Sequence, residues 1–255
     1  MALLEIADLS QRFGGLQALA DFNFRLQERE FVGLIGPNGA GKTTVFNLVS
    51  GFYVPTEGEI RFNGASTRGL KPHRVTALGI ARTFQNIRLW NDMSVLDNIR
   101  LAQHYWLGYS LWDVLARTRR YSETERRVDA QSQEILEIMD LKACAGEFPK
   151  NLPYGLQRRV ELARALAIKP RLLLLDEPAA GLNSADVDGL IRLVRWIYSE
   201  FNISIWMIEH QMQVVMSLCE RILVLDFGRI IAEGSPEQIQ ANPEVIGAYL
   251  GDGAV

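Results

Sequence analysis

The sequence has little cysteine, and it lacks an apolar run long enough to cross a bilayer. Its 255 residues include two cysteines, Cys144 and Cys219, which lie far apart and form no metal-like spacing. Two free thiols are typical of a reducing compartment and exclude a disulfide framework. Apolar runs such as Leu172–Leu175 fall far short of the roughly 18–20 residues of a membrane span. We therefore expect that a partner must hold the chain if it works at a membrane.

A strong charge of one sign is missing as well. The chain has 27 lysines and arginines against 30 aspartates and glutamates, a net charge of −3, so the charge balance does not indicate a nucleic-acid partner. The apolar share of 48% and the charged share of 22% are typical of an ordinary globular protein. The first residues, Met1–Glu5, show no basic segment followed by a long apolar one, so no secretory signal is expected.

One short segment carries a specific chemical pattern. Residues 36–44 read G-P-N-G-A-G-K-T-T, which matches the phosphate-binding loop G-x-x-x-x-G-K-[ST]. An apolar run at 31–35 predicts a buried strand before the loop, and the apolar spacing at 43–49 predicts a helix after it. Glycines let successive N–H groups point at an anion, and the positive end of the helix faces the same place. The residues of this loop that are predicted to bind a nucleoside triphosphate are Gly36, Pro37, Asn38, Gly39, Ala40, Gly41, Lys42, Thr43 and Thr44.

Two side chains of the loop have distinct predicted roles. Lys42 is expected to reach the β- and γ-phosphates of a nucleoside triphosphate, and the Thr43 hydroxyl is expected to hold Mg²⁺. The alternative is a glycine-rich turn before a core helix, which the agreement between the pattern and its flanks disfavours.

Apolar runs and helical patterns alternate along most of the chain. Strands are predicted near 4–6, 22–26, 31–35, 58–64, 80–84, 172–175, 203–208, 221–226 and 228–232. This alternation predicts an α/β fold with a mainly parallel sheet. A helical block at 86–160 interrupts it and predicts an inserted subdomain. The nucleotide-binding core is then 1–85 and 161–235, with a helical tail at 236–255, all within one domain, 1–255.

A pair of carboxylates follows the buried strand at 172–175. Asp176 fits the acidic partner of Mg²⁺ together with Thr43, and Glu177 fits a residue that orients or deprotonates an attacking water. In open α/β sheets, ligands bind at the carboxyl ends of strands. An Asp-Glu turn without function is the alternative, and the phosphate loop disfavours it.

Three further residues stand at informative places. His210 follows a core strand and could sense the γ-phosphate, although an exposed histidine at a strand end is the plain alternative. Gln85 ends a strand at the entrance to the helical block and is a candidate ligand of Mg²⁺ or water. Phe13 lies beside a glycine pair, where it could cover a base, and a core phenylalanine beside a turn is favoured on the residues alone.

The order of these motifs resembles that of ABC transporter ATPases over essentially the whole chain. Gln85, the segment L-P-Y-G-L-Q at 152–157, the acidic strand at 172–178 and His210 follow the phosphate loop in the family's order. Within that family the sequence is similar to the ATP-binding subunits of branched-chain amino acid importers. This narrower resemblance rests on Leu152–Gly155, the block after Leu101, Gly181–Asn183, the segment 208–216 and the ending 242–251.

The resemblance implies a RecA-like P-loop NTPase core with an antiparallel β subdomain and an inserted α-helical subdomain. It implies that Phe13 stacks on adenine, that Glu177 is the catalytic carboxylate, and that His210 is the catalytic switch histidine. ATP and Mg²⁺ are the implied cofactors, with Thr43, Gln85 and Asp176 around the metal.

The resemblance also implies partners and a location. Such subunits work as head-to-tail pairs, so Pro153, Tyr154 and Gly155 would contact the ATP of a second ABC ATPase subunit in trans. Transmembrane permease subunits would hold the pair at the cytoplasmic face of the inner membrane, with a substrate-binding protein acting from outside. Residues 86–93, which mix apolar and polar side chains, fit a groove for a partner helix, and internal packing is an equal alternative.

The signature segment departs from the family's usual Leu-Ser-Gly-Gly-Gln. Pro153 replaces the serine, Tyr154 the first glycine and Leu156 the glutamine, so the hydroxyl expected to contact the partner's γ-phosphate is missing. The helix that follows still offers backbone N–H groups to an anion. Asn183 replaces the usual aspartate of the loop after Glu177. The two ATP sites of a pair of subunits therefore need not be equivalent.

Other functions remain open on the sequence. The same cassette could power transport of urea, another amide or lipopolysaccharide, because it barely touches the substrate. A soluble ABC-type regulator usually has two cassettes or a long coiled-coil insertion, and this chain shows neither. A P-loop kinase would leave the signature and His210 unexplained.

Overall fold

The computed structural model describes residues 2–104 and 108–250, which form two compact units. One unit comprises residues 1–85 and 171–255, and the other comprises Asn86–Pro170. The predicted division at residue 160 falls inside a continuous helix, Tyr154–Ala167, so this helix belongs wholly to the second unit. Residues 251–255 of the predicted tail lie outside the described residues.

The described residues of the first unit form ten strands in two sheets. They are β1 (Ala2–Phe13), β2 (Leu16–Gln27), β3 (Phe31–Ile35), β4 (Glu57–Phe62), β5 (Ala65–Ser66), β6 (Ile80–Arg82), β7 (Leu172–Asp176), β8 (Ser204–Ile208), β9 (Arg221–Asp226) and β10 (Arg229–Gly234). Six of them form one sheet in the order β10-β9-β3-β8-β7-β6, parallel except for the β9–β10 hairpin. Every residue of β3, β7 and β8 is buried, as the continuous apolar runs predicted. The predicted α/β fold is thereby confirmed.

The other sheet is antiparallel, in the order β2-β1-β4-β5. Here the prediction of two short strands joined by a segment around 11–19 is wrong. That segment belongs to a long hairpin, with Gln11 opposite Leu19 and Phe13 opposite Leu16. The polar residues and glycines of this segment hide the strand pairing from a sequence pattern. The pairing is made by hydrogen bonds between main-chain groups, which any side chains can accompany. Both strands run to 12 residues and lift Phe13 to the hairpin tip.

The core of the first unit lies between its two sheets. Trp206 of β8 is fully buried, and its ring stacks on Phe24 and Phe22 of β2 at centroid distances of 4.4 and 6.5 Å. Phe46 meets the same indole edge-on at 5.3 Å. Aromatic contacts of this kind contribute beyond the burial of their area, so this cluster fixes the antiparallel sheet on the parallel one.

Within residues 2–104 and 108–250, ten α-helices accompany these strands. They are α1 (Lys42–Val49), α2 (Pro72–Ala77), α3 (Val95–Ala102), α4 (Leu111–Leu115), α5 (Arg119–Ile138), α6 (Tyr154–Ala167), α7 (Ser184–Glu200), α8 (Met212–Leu218), α9 (Pro236–Gln240) and α10 (Pro243–Leu250). Ser94 caps α3 by accepting the Asp97 N–H at 3.0 Å. In the described ranges, no helix combines the length and the apolar character that a membrane crossing requires.

The helical unit holds the segment after Gln85 through one buried side chain. Asn98 of α3 is fully buried, and its Oδ1 accepts the Trp90 N–H at 2.9 Å. Its Nδ2 donates to the carbonyls of Trp90, Met93 and Ser94 at 2.9–3.2 Å. The backbone of 90–94 is therefore fixed, while the Trp90 ring stays 57% exposed.

Candidate functional site

The phosphate-binding loop joins β3 to α1, the strand–loop–helix context that the motif requires. Gly36, Gly39 and Gly41 have φ angles of 148°, 83° and 105°, values that residues with a Cβ rarely adopt. A Cβ on Gly41 would lie 2.7 Å from the Ala18 carbonyl oxygen, so only glycine fits there. The motif thus sets the path of the loop as well as its chemistry.

Lys42 lies buried at the first position of α1 and closes the loop. Its Nζ donates to the carbonyl oxygens of Gly36 and Pro37 at 2.7 and 2.8 Å. Burial lowers the pKa of the Lys42 ammonium, and the negative charge of Glu177 acts in the opposite direction. A polyanion brought to this loop would stabilise the charged form of Lys42 and offer better acceptors than two carbonyls.

The parallel strands deliver the remaining predicted residues to one edge of the sheet. Asp176 is the last residue of β7 and pairs in register with Ile208 at the end of β8. Glu177 directly follows β7, His210 lies two residues after the end of β8, and Gln85 lies three residues after the end of β6. Because β3 ends at the same edge, the phosphate loop and the acidic pair share the carboxyl side of the sheet.

The side chains of Gln85 and His210 converge on the carboxylate of Glu177. The Gln85 Nε2 donates to the Glu177 Oε2 at 2.7 Å, and the His210 Nδ1 lies 3.8 Å from the same oxygen. The Glu177 side chain is 19% exposed and that of His210 52%, so both can be reached from solvent. Glu177 has a φ of 46°, in the left-handed region that is unusual for a residue with a side chain. A hydrogen bond from its N–H to the Ile208 carbonyl, at 2.9 Å, ties this turn to β8.

Asp176 has a cationic partner that the sequence did not reveal. Arg82, at the end of β6, donates from Nη2 to the Asp176 Oδ2 at 2.7 Å, and both side chains are 6% exposed. Its Nη1 donates to Asn47 Oδ1 and Ser50 Oγ, both at 2.8 Å, and its guanidinium lies over the Phe84 ring. Arg82 therefore fixes the carboxylate of β7 to the end of α1. The pairing spans 94 residues, so no local pattern could have predicted it.

Phe13 stands at the β1–β2 hairpin tip with 41% of its surface exposed, which overturns the core alternative. Its ring meets Tyr53 edge-on at a centroid distance of 5.3 Å. One face of an exposed aromatic ring remains able to stack on a flat group.

A cavity of about 720 Å³ adjoins the phosphate loop. It is lined by Leu16, Pro37, Asn38, Gly39, Ala40, Asp226, Phe227, Ile231, Glu244, Gly247 and Ala248. Its last three lining residues belong to α10, whose contact with the loop the sequence did not predict. Burial raises the pKa of Tyr249 on the same helix, and a hydrogen bond with the Gly36 backbone opposes this shift. The C-terminal helix thus reaches the first glycine of the loop.

The signature segment begins a helix in the second unit. Pro153 is the N-cap of α6 and provides no side-chain hydrogen bond to the first turn, where the Leu156 and Gln157 N–H groups donate to the Pro153 carbonyl, both at 3.0 Å. Pro153, Tyr154 and Gly155 are all exposed. The positive end of this helix can therefore face an external anion.

Asn183 has a structural role in the loop after Glu177. Its Oδ1 accepts the Asp186 N–H at 3.0 Å, and its Nδ2 donates to the Asp186 Oδ2 at 2.7 Å, which caps α7. Both amide atoms are engaged, whereas an aspartate at this position could not donate to Asp186.

Comparison with known proteins identifies relatives over the whole chain. The family model described as ABC transporter matches residues 19–180, and the model described as branched-chain amino acid ATP-binding cassette transporter matches residues 229–255. The chain is 44% identical over 250 residues to the high-affinity branched-chain amino acid transport ATP-binding protein BraF of Pseudomonas aeruginosa. It is 42% identical, again over 250 residues, to the protein LivG of the same description from Escherichia coli. Both alignments cover 98% of each chain.

Solved structures give the same result for the fold. A nucleotide-free ATP-binding cassette from an ABC transporter matches with a TM-score of 0.85 at 27% identity, covering 99% of this chain and 100% of that one. An ATP-binding cassette in its ADP conformation matches with a TM-score of 0.84 at 28% identity and the same coverage.

Proposed function

The chain belongs to the ABC transporter family of ATP-hydrolysing proteins, and we propose that it powers an importer for branched-chain amino acids. The observation that carries the chemistry is the convergence of Gln85 and His210 on Glu177 beside the phosphate loop. The substrate class rests on the two relatives at 42–44% identity and on the C-terminal family match at 229–255. Urea, other amides and lipopolysaccharide have no comparable support.

The residues around the loop divide the work of hydrolysis. In-line attack of water on a γ-phosphate needs positioning and charge neutralisation more than covalent chemistry. The loop amides and Lys42 neutralise the phosphates, while Glu177 orients the water and accepts its proton. His210 contacts the γ-phosphate, and Phe13 stacks on adenine from the exposed hairpin tip.

A magnesium ion fits the donors at the sheet edge. Thr43 presents an exposed hydroxyl in the first turn of α1, and Gln85 presents an exposed amide. Arg82 donates to the Oδ2 of Asp176, and Asp176 would hold the ion through a metal-bound water. The described ranges contain no group of three or more histidine, cysteine or acidic side chains that could hold an ion by themselves. Mg²⁺ takes few protein ligands together with substrate phosphates and water, and it would neutralise charge on the phosphates.

Each ATP is completed by a second ATPase subunit. The exposed start of α6, Pro153–Gly155, offers the positive end of a helix and no serine hydroxyl to the nucleotide of that partner. A partner whose own signature retains a serine would contact the ATP on this chain with one more hydrogen bond. The two sites of such a pair would then differ in affinity.

Permease subunits hold the pair at the cytoplasmic face of the membrane, and a substrate-binding protein delivers the amino acid from outside. The segment 86–93 supplies a contact for a permease helix. Its backbone is fixed by the buried Asn98, whereas the Trp90 ring projects with 57% exposure. A rigid segment that presents an exposed aromatic ring is what an interface anchor requires.

Replacing Trp90 by alanine tests this contact. We expect the full-length W90A chain to keep its basal ATP hydrolysis within about twofold but to lose most of its co-purification with the permease subunits, since truncating an anchor typically costs 2 kcal/mol or more, about 30-fold in affinity. The measurement is pull-down from detergent-solubilised membranes beside an ATPase assay. W196A, which removes an exposed ring from α7, serves as the control and should bind normally. Normal permease binding by W90A would assign the ring to the helical unit's own surface.

A further inference from the structure

A fully buried carboxylate lies directly before His210. Glu209 has no exposed surface and follows β8. Its Oε1 accepts the Ala179 N–H at 2.9 Å, and its Oε2 accepts the N–H groups of His210 and Gln211 at 2.8 and 3.0 Å. A buried carboxylate costs several kcal/mol unless hydrogen bonds stabilise its charge, and three N–H donors do so here. No local sequence pattern identifies Glu209, because its donors lie on two separate loops.

Those two loops carry the reacting side chains. Ala179 lies two residues after Glu177 in the turn that follows β7, and His210 lies in the turn that follows β8. Glu209 joins the two turns, because its Oε1 contacts the turn after β7 and its Oε2 contacts the turn after β8. A second tie is the hydrogen bond from Gln211 Nε2 to the Ala179 carbonyl, at 3.2 Å. The distance of 3.8 Å between Glu177 and His210 therefore depends on this junction.

The turn at Glu177 needs such support. A residue with a side chain in the left-handed region costs roughly 1 kcal/mol or more and persists where the surroundings fix it. The φ of Glu177 is 46°, and its turn is held by the Ala180 N–H to Glu177 carbonyl bond at 3.1 Å and by Glu209 through Ala179. Loss of the Glu209 acceptor would release the turn toward a commoner backbone conformation.

We infer that Glu209 is a positioning residue that locks the Glu177 and His210 turns together in the geometry that hydrolysis requires. The inference rests on the roles proposed for those two residues. Glu209 touches no nucleotide itself, because it is wholly buried. It acts by fixing the relative positions of Glu177, which orients the water, and His210, which contacts the γ-phosphate.

The substitution E209Q tests the inference in the purified transporter complex. The side chain keeps its size, but its Nε2 must now face N–H donors, so at least one acceptor is lost. We expect kcat to fall about 10- to 100-fold while the KM for ATP changes less than about twofold, since misplacement of reacting groups by even 1 Å can cost 10²-fold. E209D, which keeps the charge on a shorter stem, should lose less, and it replaces E209Q if that variant does not fold.

A matched control is E30Q. Glu30 also accepts a backbone N–H, from Gln27 at 2.7 Å, and pairs with Arg221, but it precedes β3 at the opposite edge of the sheet. Removing its charge should lower thermal stability without changing kcat. An equal fall of kcat in E30Q and E209Q would show a general effect of losing a supporting carboxylate and would overturn the inference.

A double-mutant cycle with H210A separates positioning from global damage. If Glu209 acts through the two turns, adding E209Q to H210A should slow hydrolysis by less than about threefold further, because residues that act as a unit are strongly non-additive. Full multiplication of the two effects would overturn the inference. If H210A slows hydrolysis and E209Q alone does not, only the role of Glu209 fails. If H210A hydrolyses ATP at the wild-type rate, both the inference about Glu209 and the proposed role of His210 are wrong.

Discussion

The substitution E177Q is expected to leave ATP binding intact and to reduce ATP turnover by about 10²- to 10⁴-fold, the range that a positioned general base contributes. Glutamine keeps the size of the side chain and can still contact Gln85. It cannot accept a proton, and its Nε2 donates hydrogen bonds, so it cannot orient a water as a carboxylate oxygen does. The measurement is steady-state phosphate release at saturating ATP together with an ATP titration.

The design of this experiment isolates the carboxylate. E59Q removes a charge from an exposed side chain on the antiparallel sheet, where Glu59 pairs with Arg61, and it should hydrolyse ATP at the wild-type rate. Near-normal turnover by E177Q would remove Glu177 from the reaction. Weaker ATP binding by E177Q would instead indicate a role in holding the nucleotide.

The substitution K42A is expected to weaken ATP binding by about 10- to 100-fold. A hydrogen bond to a charged group contributes about 1.5–3 kcal/mol, and each 1.4 kcal/mol changes Kd tenfold. Lys42 is buried, and burial lowers its pKa, so the charged form is best stabilised when phosphates arrive. Its present acceptors, the carbonyls of Gly36 and Pro37, are replaced by stronger ones at little entropic cost.

K42A also removes the two hydrogen bonds that Lys42 donates to the carbonyls of Gly36 and Pro37, so folding must be measured beside binding. Thermal unfolding of K42A should remain cooperative, and the Kd is read by titration with an ATP analogue. K142A removes a lysine from the helical unit, where Lys142 pairs with Glu137 at the surface, and should bind ATP normally. Unchanged affinity in K42A would contradict the assignment of residues 36–44 as the phosphate site.

The sequence predicts the parts of the site that depend on local pattern. The glycines of 36–41 report the path of the loop because their φ angles exclude other residues, and the buried runs of β3, β7 and β8 place polar residues at strand ends. Once the sheet is known to be parallel, the strand ends alone predict that Gln85, Glu177 and His210 lie at one edge of it.

Features that depend on pairing between distant segments could not be predicted. The Arg82–Asp176 ion pair and the hydrogen bonds of Glu209 join residues that no period connects. The β1–β2 hairpin extends beyond its predicted strands because glycines and polar residues interrupt the apolar alternation near its tip, and Phe13 is exposed at that tip rather than placed in the core. Tertiary contacts determine the ion pair, the hydrogen bonds of Glu209 and the length of the hairpin, and each of these features lies beside the candidate site.

The central claim, that this chain supplies the ATPase of a branched-chain amino acid importer, is tested most directly by uptake of labelled leucine. Cells that lack only this chain should take up labelled leucine at a small fraction of the normal rate. The wild-type chain should restore uptake and E177Q at equal abundance should not. Normal leucine uptake in cells lacking the chain, or full rescue by E177Q, would contradict the claim.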